Sequence, residues 1–298
     1  MNSVLPIPTI PTIPTIPLIL HQIWWQGRDK VPKDYPNHSQ SWINLNPTFK
    51  YMFWDERNIT QLVKEFPSHI QQAFNGLPHM IQKIDMAKFL ILHKHGGLYV
   101  DMDSECLKPV QELLTSSQVV LVQINVNMLA KFLGYGRLTG DMLQNGIMAG
   151  TRQHPFWMYC IKCLMEEDKT QRVLETRLKY IFRTTGPGLL TRAYNSAKLN
   201  GQAAGIKMLP HELVDSVSYC DYEVYKCATQ NCAKRFPNAY SIHHFGSKSK
   251  RSSWLSDNER WISVLYCRYQ NWIQPLLWVV AVVVAFYLSK RLIGKTKR

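Results

Sequence analysis

The chain is short of acid. Its 298 residues hold 21 Asp+Glu against 35 Lys+Arg, a net charge of +14. An excess of that size first suggests an anionic partner: nucleic acid, phosphate or a membrane surface. No nucleic-acid recognition motif accompanies it, and the excess is not spread evenly. Residues 247–298 carry ten basic side chains and two acidic ones. No internal repeat is found between residues 17 and 268. No apolar run follows a basic start at the N-terminus, so no secretory leader is expected there. Cys160-x-x-Cys163 has no second pair, so a zinc site of the four-cysteine kind has little support. The seven cysteines form an odd set. Cys220, Cys227 and Cys232 are close enough for one loop disulfide, and reduced thiols fit equally well. Hydrophobic residues at 46% and charged residues at 19% exclude a mostly disordered or fibrous chain.

Both ends differ from the middle. Residues 8–17 read PTIPTIPTIP, and proline at every third position favours a stiff polyproline II spacer over residues 1–17. Residues 269–289 carry no charge, and 276–288 (LLWVVAVVVAFYL) are continuously apolar. Residues 272–288 would make a helix of about 25 Å, the short end of a membrane span. Trp272, Trp278 and Tyr287 stand where interface aromatics are expected, and a basic tail at 289–298 follows. A buried helix or strand is the competing reading.

The remaining stretch, 18–268, is expected to be one α/β domain. Residues 18–24, 50–54, 98–102 and 119–124 read as strands. Residues 80–95, 155–167 and 171–183 read as helices, the first broken by Gly96-Gly97. Strands alternating with helices argue for a layered α/β fold.

The chemistry concentrates at Gly96-Gly97-Leu98-Tyr99-Val100-Asp101-Met102-Asp103. Two glycines end a helix, a short apolar strand follows, and two carboxylates stand two residues apart at its end. In a strand such residues share a face. Like charges so placed call for a counter-charge, and a hard divalent ion such as Mn²⁺ or Mg²⁺ takes carboxylate and phosphate oxygens. Asp85 and Lys88, at i and i+3 on the preceding helix, read either as a surface ion pair or as the border of the same cleft.

These residues continue in a recognisable order. Leu18-Ile19-Leu20-His21-Gln22-Ile23-Trp24 comes first, then Trp54-Asp55, Asp85-x-x-Lys88 and GGLYVDMD. Asn145-Gly146-Ile147-Met148, Thr185-Gly186-Pro187-Gly188, His243-His244-Phe245 and Ser253-Trp254 follow. Together they resemble glycosyltransferase family 32, DXD-containing sugar transferases that include fungal mannosyltransferases acting on glycans and on inositol phosphoceramide. The resemblance implies a GT-A fold, a nucleotide-sugar-binding α/β domain with a mixed central sheet. It also implies catalysis of hexose transfer with retention of anomeric configuration.

Laid on this chain, the resemblance implies that Trp24 stacks on the nucleobase. Asp103 binds the metal directly, and Asp101 contacts sugar hydroxyls and reaches the metal through water. Tyr99 and Asp85 help hold the sugar. Lys88, where the family usually has Arg, makes a single-point contact to phosphate or hydroxyl. His244 completes the metal shell, with His243 as its rival. Ser253 and Trp254 close over the diphosphate, with Lys248, Lys250 and Arg251 before them. Asn145 lies toward the reacting face but is a poor nucleophile, so a front-face transfer is expected rather than a covalent intermediate.

The expected donor is a UDP- or GDP-hexose and the expected acceptor a glycan or glycolipid hydroxyl, with an inositol-phosphosphingolipid as the alternative. The expected setting is a single-pass Golgi or ER membrane, with the side of the catalytic domain open, and nucleic acid is not an expected partner. A carboxylate-pair glycoside hydrolase is the competing enzyme class. A sugar-binding module without activity is the competing non-enzyme class.

Overall fold

The computed structural model describes residues 15–33, 35–124, 142–170, 175–214, 216 and 234–244, with 265, 268, 269, 272 and 279 singly. Ile19–Ile23 (β1), Lys50–Trp54 (β2), Gly97–Val100 (β3), Val119–Gln123 (β5), Leu143–Gly150 (β6) and Ile206–Leu209 (β7) build a six-stranded sheet in the order β2-β1-β3-β6-β5-β7. β1 pairs in parallel with β2 and β3, and β5 with β7. β6 runs antiparallel to both its neighbours. The sheet is therefore mixed, with β6 its one reversed strand. Ser104–Cys106 (β4) and Ser241–His243 (β8) form a separate two-stranded sheet.

Alternation along the strands explains the layers. Tyr99, Leu121 and Met148 point to one face, where they pack with Met80–His95 (α4), Pro155–Glu166 (α6) and Pro187–Leu199 (α8). Leu98, Val100, Val120 and Val122 point to the other, against Trp42 of Tyr35–Leu45 (α1) and Leu113 and Leu114 of Gln111–Leu114 (α5). Glu56–Val63 (α2), Ser68–Asn75 (α3), Arg177–Thr184 (α7) and His211–Val214 (α9) complete the helices. Both faces of the sheet are covered, as parallel strands require.

Local signals set several boundaries. Asp55 caps α2: its side chain accepts from Asn58 N–H at 3.0 Å while Asn58 Oδ1 accepts from Asp55 N–H at 2.9 Å. The helix expected at 171–183 begins at Arg177. Thr176 explains the shift, since its hydroxyl accepts from Lys179 N–H at 3.2 Å and starts the helix there. The strand expected at 98–102 ends at Val100. Asp101 opens a turn in which Ser104 N–H donates to Asp101 C=O at 3.1 Å, so the two aspartates do not lie on one strand face.

Gly96 and Gly97 carry φ of 64° and 98°, values that a side chain resists. A Cβ on Gly97 would stand 2.6 Å from the Ile19 carbonyl oxygen and 3.1 Å from His21 Nε2. His21 fixes this link. It is fully buried. Its Nε2 lies 2.8 Å from the Gly96 carbonyl oxygen, and Trp54 Nε1–H donates to Nδ1 at 3.1 Å. Since the carbonyl only accepts, Nε2 carries the proton and the ring is neutral. Burial lowers its pKa from 6.5 to about 4.

The stability it contributes is complete above pH 6.5 and lost as pH falls toward 4. Urea unfolding at pH 7 and pH 4.5 should show the wild type losing about 2.5 kcal/mol more than His21→Gln over that interval. An equal loss in both would show that His21 does not titrate this way.

Among the described residues no helix is long and apolar enough to cross a membrane. The expected span at 272–288 lies outside them apart from Trp272 and Val279, which are exposed. The expected spacer at 1–17 is described only from residue 15.

Candidate functional site

The site forms at one edge of the sheet, where the C-terminal ends of β1, β2 and β3 meet the N-terminal end of the reversed β6. Ligands of open α/β sheets gather at such an edge. Trp24 follows β1, half-buried, its Nε1–H donating to Lys30 C=O at 3.0 Å and its ring edge-on to Tyr35 at 5.4 Å. Asp101 follows β3, its N–H donating to Gly146 C=O at 2.8 Å.

Beneath Asp101 lies a buried polar cluster. Tyr99 OH donates to Asp101 Oδ1 at 2.6 Å. Lys88 Nζ is 3.1 Å from the same oxygen, 3.4 Å from Asp85 Oδ1 and 3.2 Å from Asn145 C=O. It also stands 5.0 Å from the Tyr99 ring centroid. Asp85 Oδ1 accepts from Asn145 Nδ2 at 2.8 Å, and Oδ2 from Thr185 Oγ1 at 2.9 Å. Side-chain exposure is 5% for Asp85 and 4% for Lys88, against 29% for Asp101.

The surface-pair reading of Asp85 and Lys88 is corrected: both are buried, and Lys88 meets Asp101 at the site. Burial opposes the Lys88 charge, but the carboxylates of Asp101 and Asp85 outweigh it and hold its pKa above the ordinary value. Burial pushes the Asp85 carboxyl up, while Lys88, Thr185 and Asn145 pull against it. Burial, with Asp101 beside it, raises the Tyr99 phenol well above its usual range, so Tyr99 serves as a hydrogen-bond donor.

Asp101, Asp103 and His243 bring ligating atoms within 4.8 Å of one another. His243 Nε2 is 3.1 Å from Asp103 Oδ1. His244, expected as the metal ligand, instead sits 2.8 Å from Glu105 Oε2 and stacks on His38. The reason is the β4–β8 ladder, which pairs His243 with Ser104. Successive strand residues face opposite ways, and His244 N–H is tied to Asp103 C=O at 2.8 Å. Two carboxylates and one imidazole form a donor set that suits Mn²⁺ or Mg²⁺.

Ser253, Trp254, Lys248, Lys250 and Arg251 lie outside the described residues, as do Cys220, Cys227 and Cys232. Cys106, Cys160 and Cys163 are free thiols.

Two residues gain parts that motif reading did not assign. Thr185 holds the second oxygen of Asp85. The loop carrying it follows α7, whose Arg183 forks onto Glu175 at 2.8 and 2.9 Å and reaches Glu167 at 2.9 Å. Gly146 leaves room for Asp101, since a Cβ there would stand 2.9 Å from Asp101 Oδ2 and 2.9 Å from Gln144 Oε1. Gly146→Ala should displace an Asp101 carboxylate already fixed by Tyr99 and Lys88. Misplacement on that scale is expected to lower kcat/KM about tenfold to a hundredfold with the fold retained. Unchanged kinetics in the folded variant would show that Asp101 moves freely.

A family model described as "Glycosyltransferase sugar-binding region containing DXD motif" matches residues 32–120. That span holds Asp85, Lys88, Asp101 and Asp103. The chain is 27% identical over 176 residues to inositol phosphoceramide mannosyltransferase 1 of Schizosaccharomyces pombe, covering 58% of this chain and 49% of that protein. It is 26% identical over 252 residues to a mannosyl phosphorylinositol ceramide synthase of Saccharomyces cerevisiae, covering 83% and 55%. It is 32% identical over 109 residues to the initiation-specific alpha-1,6-mannosyltransferase of Candida albicans, covering 35% and 28%. The chain spans about half the length of the curated relatives it matches.

Among solved structures it is similar to the galactosyltransferase LgtC in complex with donor and acceptor sugar analogs (12% identity, 82% and 94% covered, TM-score 0.38). It is also similar to mouse xyloside xylosyltransferase 1 (10% identity, 76% and 96% covered, TM-score 0.43). The aspartate pair lies inside the matched region, and the wider motif order runs from Leu18 to Trp254. Over residues 32–120 the chain is similar to the DXD-containing sugar-transferase region that the family model describes.

Proposed function

We propose that the chain is a metal-dependent, retaining GT-A glycosyltransferase that moves a hexose from a nucleoside-diphosphate sugar to a glycan or glycolipid hydroxyl. The observation that carries this reading is the convergence of Asp101, Asp103 and His243 just past the end of β3. Asp103 and His243 would hold a divalent ion, Mn²⁺ or Mg²⁺, with Asp101 beside them. When bound, such an ion supplies Lewis-acid stabilisation of charge on a departing diphosphate.

The chain's own residues do the rest. Trp24 offers an aromatic face to a nucleobase. Tyr99 and Lys88 fix the Asp101 carboxylate toward the cleft, leaving its exposed oxygen to accept from sugar hydroxyls. Asn145 has its amide nitrogen engaged by Asp85, which orients rather than activates it. That disposition fits a front-face transfer in which the acceptor hydroxyl arrives beside the leaving phosphate. Ser253 and Trp254 are proposed to close over the diphosphate.

Among acceptors, an inositol-phosphosphingolipid is favoured by the relatives whose names carry inositol phosphoceramide mannosyl transfer. The apolar 272–288 stretch and its basic tail support an ER or Golgi membrane location, where anionic headgroups would be attracted. The carboxylate-pair hydrolase reading is less favoured, because Asp101 and Asp103 converge with a histidine on one point rather than flanking a sugar bond.

A panel of sugar nucleotides incubated with Mn²⁺ and the full chain tests the reading. Release of nucleoside diphosphate from one of them, raised by a lipid or glycan acceptor, is the expected result. Metal-independent cleavage of a simple glycoside would overturn it. If the acceptor is a membrane lipid, removing residues 269–298 should cause a large loss of transfer to lipid, while a soluble-glycan acceptor should lose none.

A further inference from the structure

A second group of ligating atoms lies beside the first. His38 on α1, Glu105 on β4 and His244 just beyond β8 each bring one ligating atom, and these lie within 4.8 Å of one another. His244 Nε2 is 2.8 Å from Glu105 Oε2. The imidazoles of His38 and His244 lie face to face, 4.1 Å between centroids and 5° between planes. Three elements distant in sequence thus converge on one point that the sugar-transfer reading does not use.

We propose that His38, Glu105 and His244 form a second metal site, one that takes a borderline-soft transition ion such as Zn²⁺. The donor sets of the two groups differ in kind. Two carboxylates and an imidazole at Asp101, Asp103 and His243 suit a hard ion. Two imidazoles and one carboxylate suit zinc. Burial separates this set from a chance surface cluster: His244 is 9% exposed overall and the Glu105 side chain 14%.

The framework is fixed on two sides. Glu105 stands opposite Ile242 in the β4–β8 ladder, and His244 N–H is tied to Asp103 C=O at 2.8 Å. Nε2 of His244 faces the Glu105 carboxylate at hydrogen-bond distance. A cation takes that place, and the His38 ring turns about its side-chain torsions out of the parallel stack to present a nitrogen to the same point.

The consequence is a staple. β4 and β8 are three residues each, too short to hold together on ladder bonds alone. An ion at this site joins them to α1, and so steadies Asp103 and His243, which adjoin Glu105 and His244 in sequence. The inference does not depend on the sugar-transfer reading. It concerns binding and thermal stability, and it stands or falls without any turnover assay.

The test is zinc titration of the full-length, tag-free chain against a chromophoric chelator, with Asp103→Ala, Glu105→Gln and His38→Ala as variants. Asp103→Ala should keep one zinc equivalent at unchanged affinity. Glu105→Gln and His38→Ala should each lose at least about tenfold in affinity, together with any zinc-induced rise in Tm. Zinc K-edge absorption of the wild type with one equivalent bound avoids the risk that a variant fails to fold. It should show two imidazoles per zinc. One imidazole per zinc, or zinc lost in Asp103→Ala and retained in Glu105→Gln, would assign the ion to the aspartate group and overturn the proposal. Absence of micromolar zinc binding by the wild type would overturn it as well.

Discussion

Asp103→Ala should lower sugar-nucleotide turnover by about a thousandfold while leaving the fold intact. The size follows from what the carboxylate does in the proposed reaction. Losing one preorganised group that offsets charge in the transition state costs about 3–4 kcal/mol. Asp103 contributes through its partner and its place. Its side chain is 11% exposed and 3.1 Å from His243 Nε2, in the turn that leads into β4. No other carboxylate of the described residues joins Asp101 and His243 there. Asp103→Asn keeps the shape but not the charge and should lose nearly as much. The measurement is nucleoside diphosphate release at saturating donor across a Mn²⁺ titration. Excess metal should not restore the rate, and thermal unfolding without metal should change little. Full activity in Asp103→Ala would mean that another residue carries the ion.

The parts of the molecule that were legible in the sequence are those with a strong local signal. Residues 80–95 form a helix with the expected bounds because a glycine pair stops it. Residues 50–54 form the expected strand because the run KYMFW is flanked by Pro47 on one side and a capping Asp55 on the other. β6 was not legible as a strand. Its sequence LQNGIMAG holds two glycines and one β-branched residue, and only the ladders on both sides make it the centre of the sheet.

The site divides in the same way. The glycine pair, the short strand and the two acids were readable, and they do meet at a strand edge. The choice between His243 and His244 was not readable. Adjacent residues differ only in which way a three-residue ladder turns them, and pairing with Ser104 decides that. The burial of Asp85 and Lys88 was missed for another reason. An i, i+3 ion pair ordinarily sits on a solvated face. Yet residues 86–92 of the same helix, MAKFLIL, are apolar at every position but Lys88, the mark of a helix covered all round rather than on one stripe. That run was the available signal.

Lys88→Met should destabilise the protein by about 3–5 kcal/mol, the cost of leaving the buried Asp85 carboxylate without its cation. The ammonium has three protons, and three acceptors take them: Asp101 Oδ1, Asp85 Oδ1 and the Asn145 carbonyl oxygen, at 3.1, 3.4 and 3.2 Å. With a side chain 4% exposed, Lys88 has no donor left for a phosphate. Its effect on sugar transfer must then pass through Asp101, whose carboxylate it holds in place. Two measurements separate this from direct donor contact. In a double-mutant cycle, Lys88→Met combined with Asp85→Asn should cost less than the sum of the two single changes, because removing both partners leaves less unpaired charge. Nucleoside diphosphate binding without divalent ion should be unchanged in folded Lys88→Met, while kcat falls. Lys88→Arg should recover part of kcat if the guanidinium reaches both carboxylates, although its planar fork fits this three-way geometry less well. A large loss of metal-free diphosphate affinity in Lys88→Met would instead place its ammonium on the donor, and the three acceptors around it would then have to open when the donor binds.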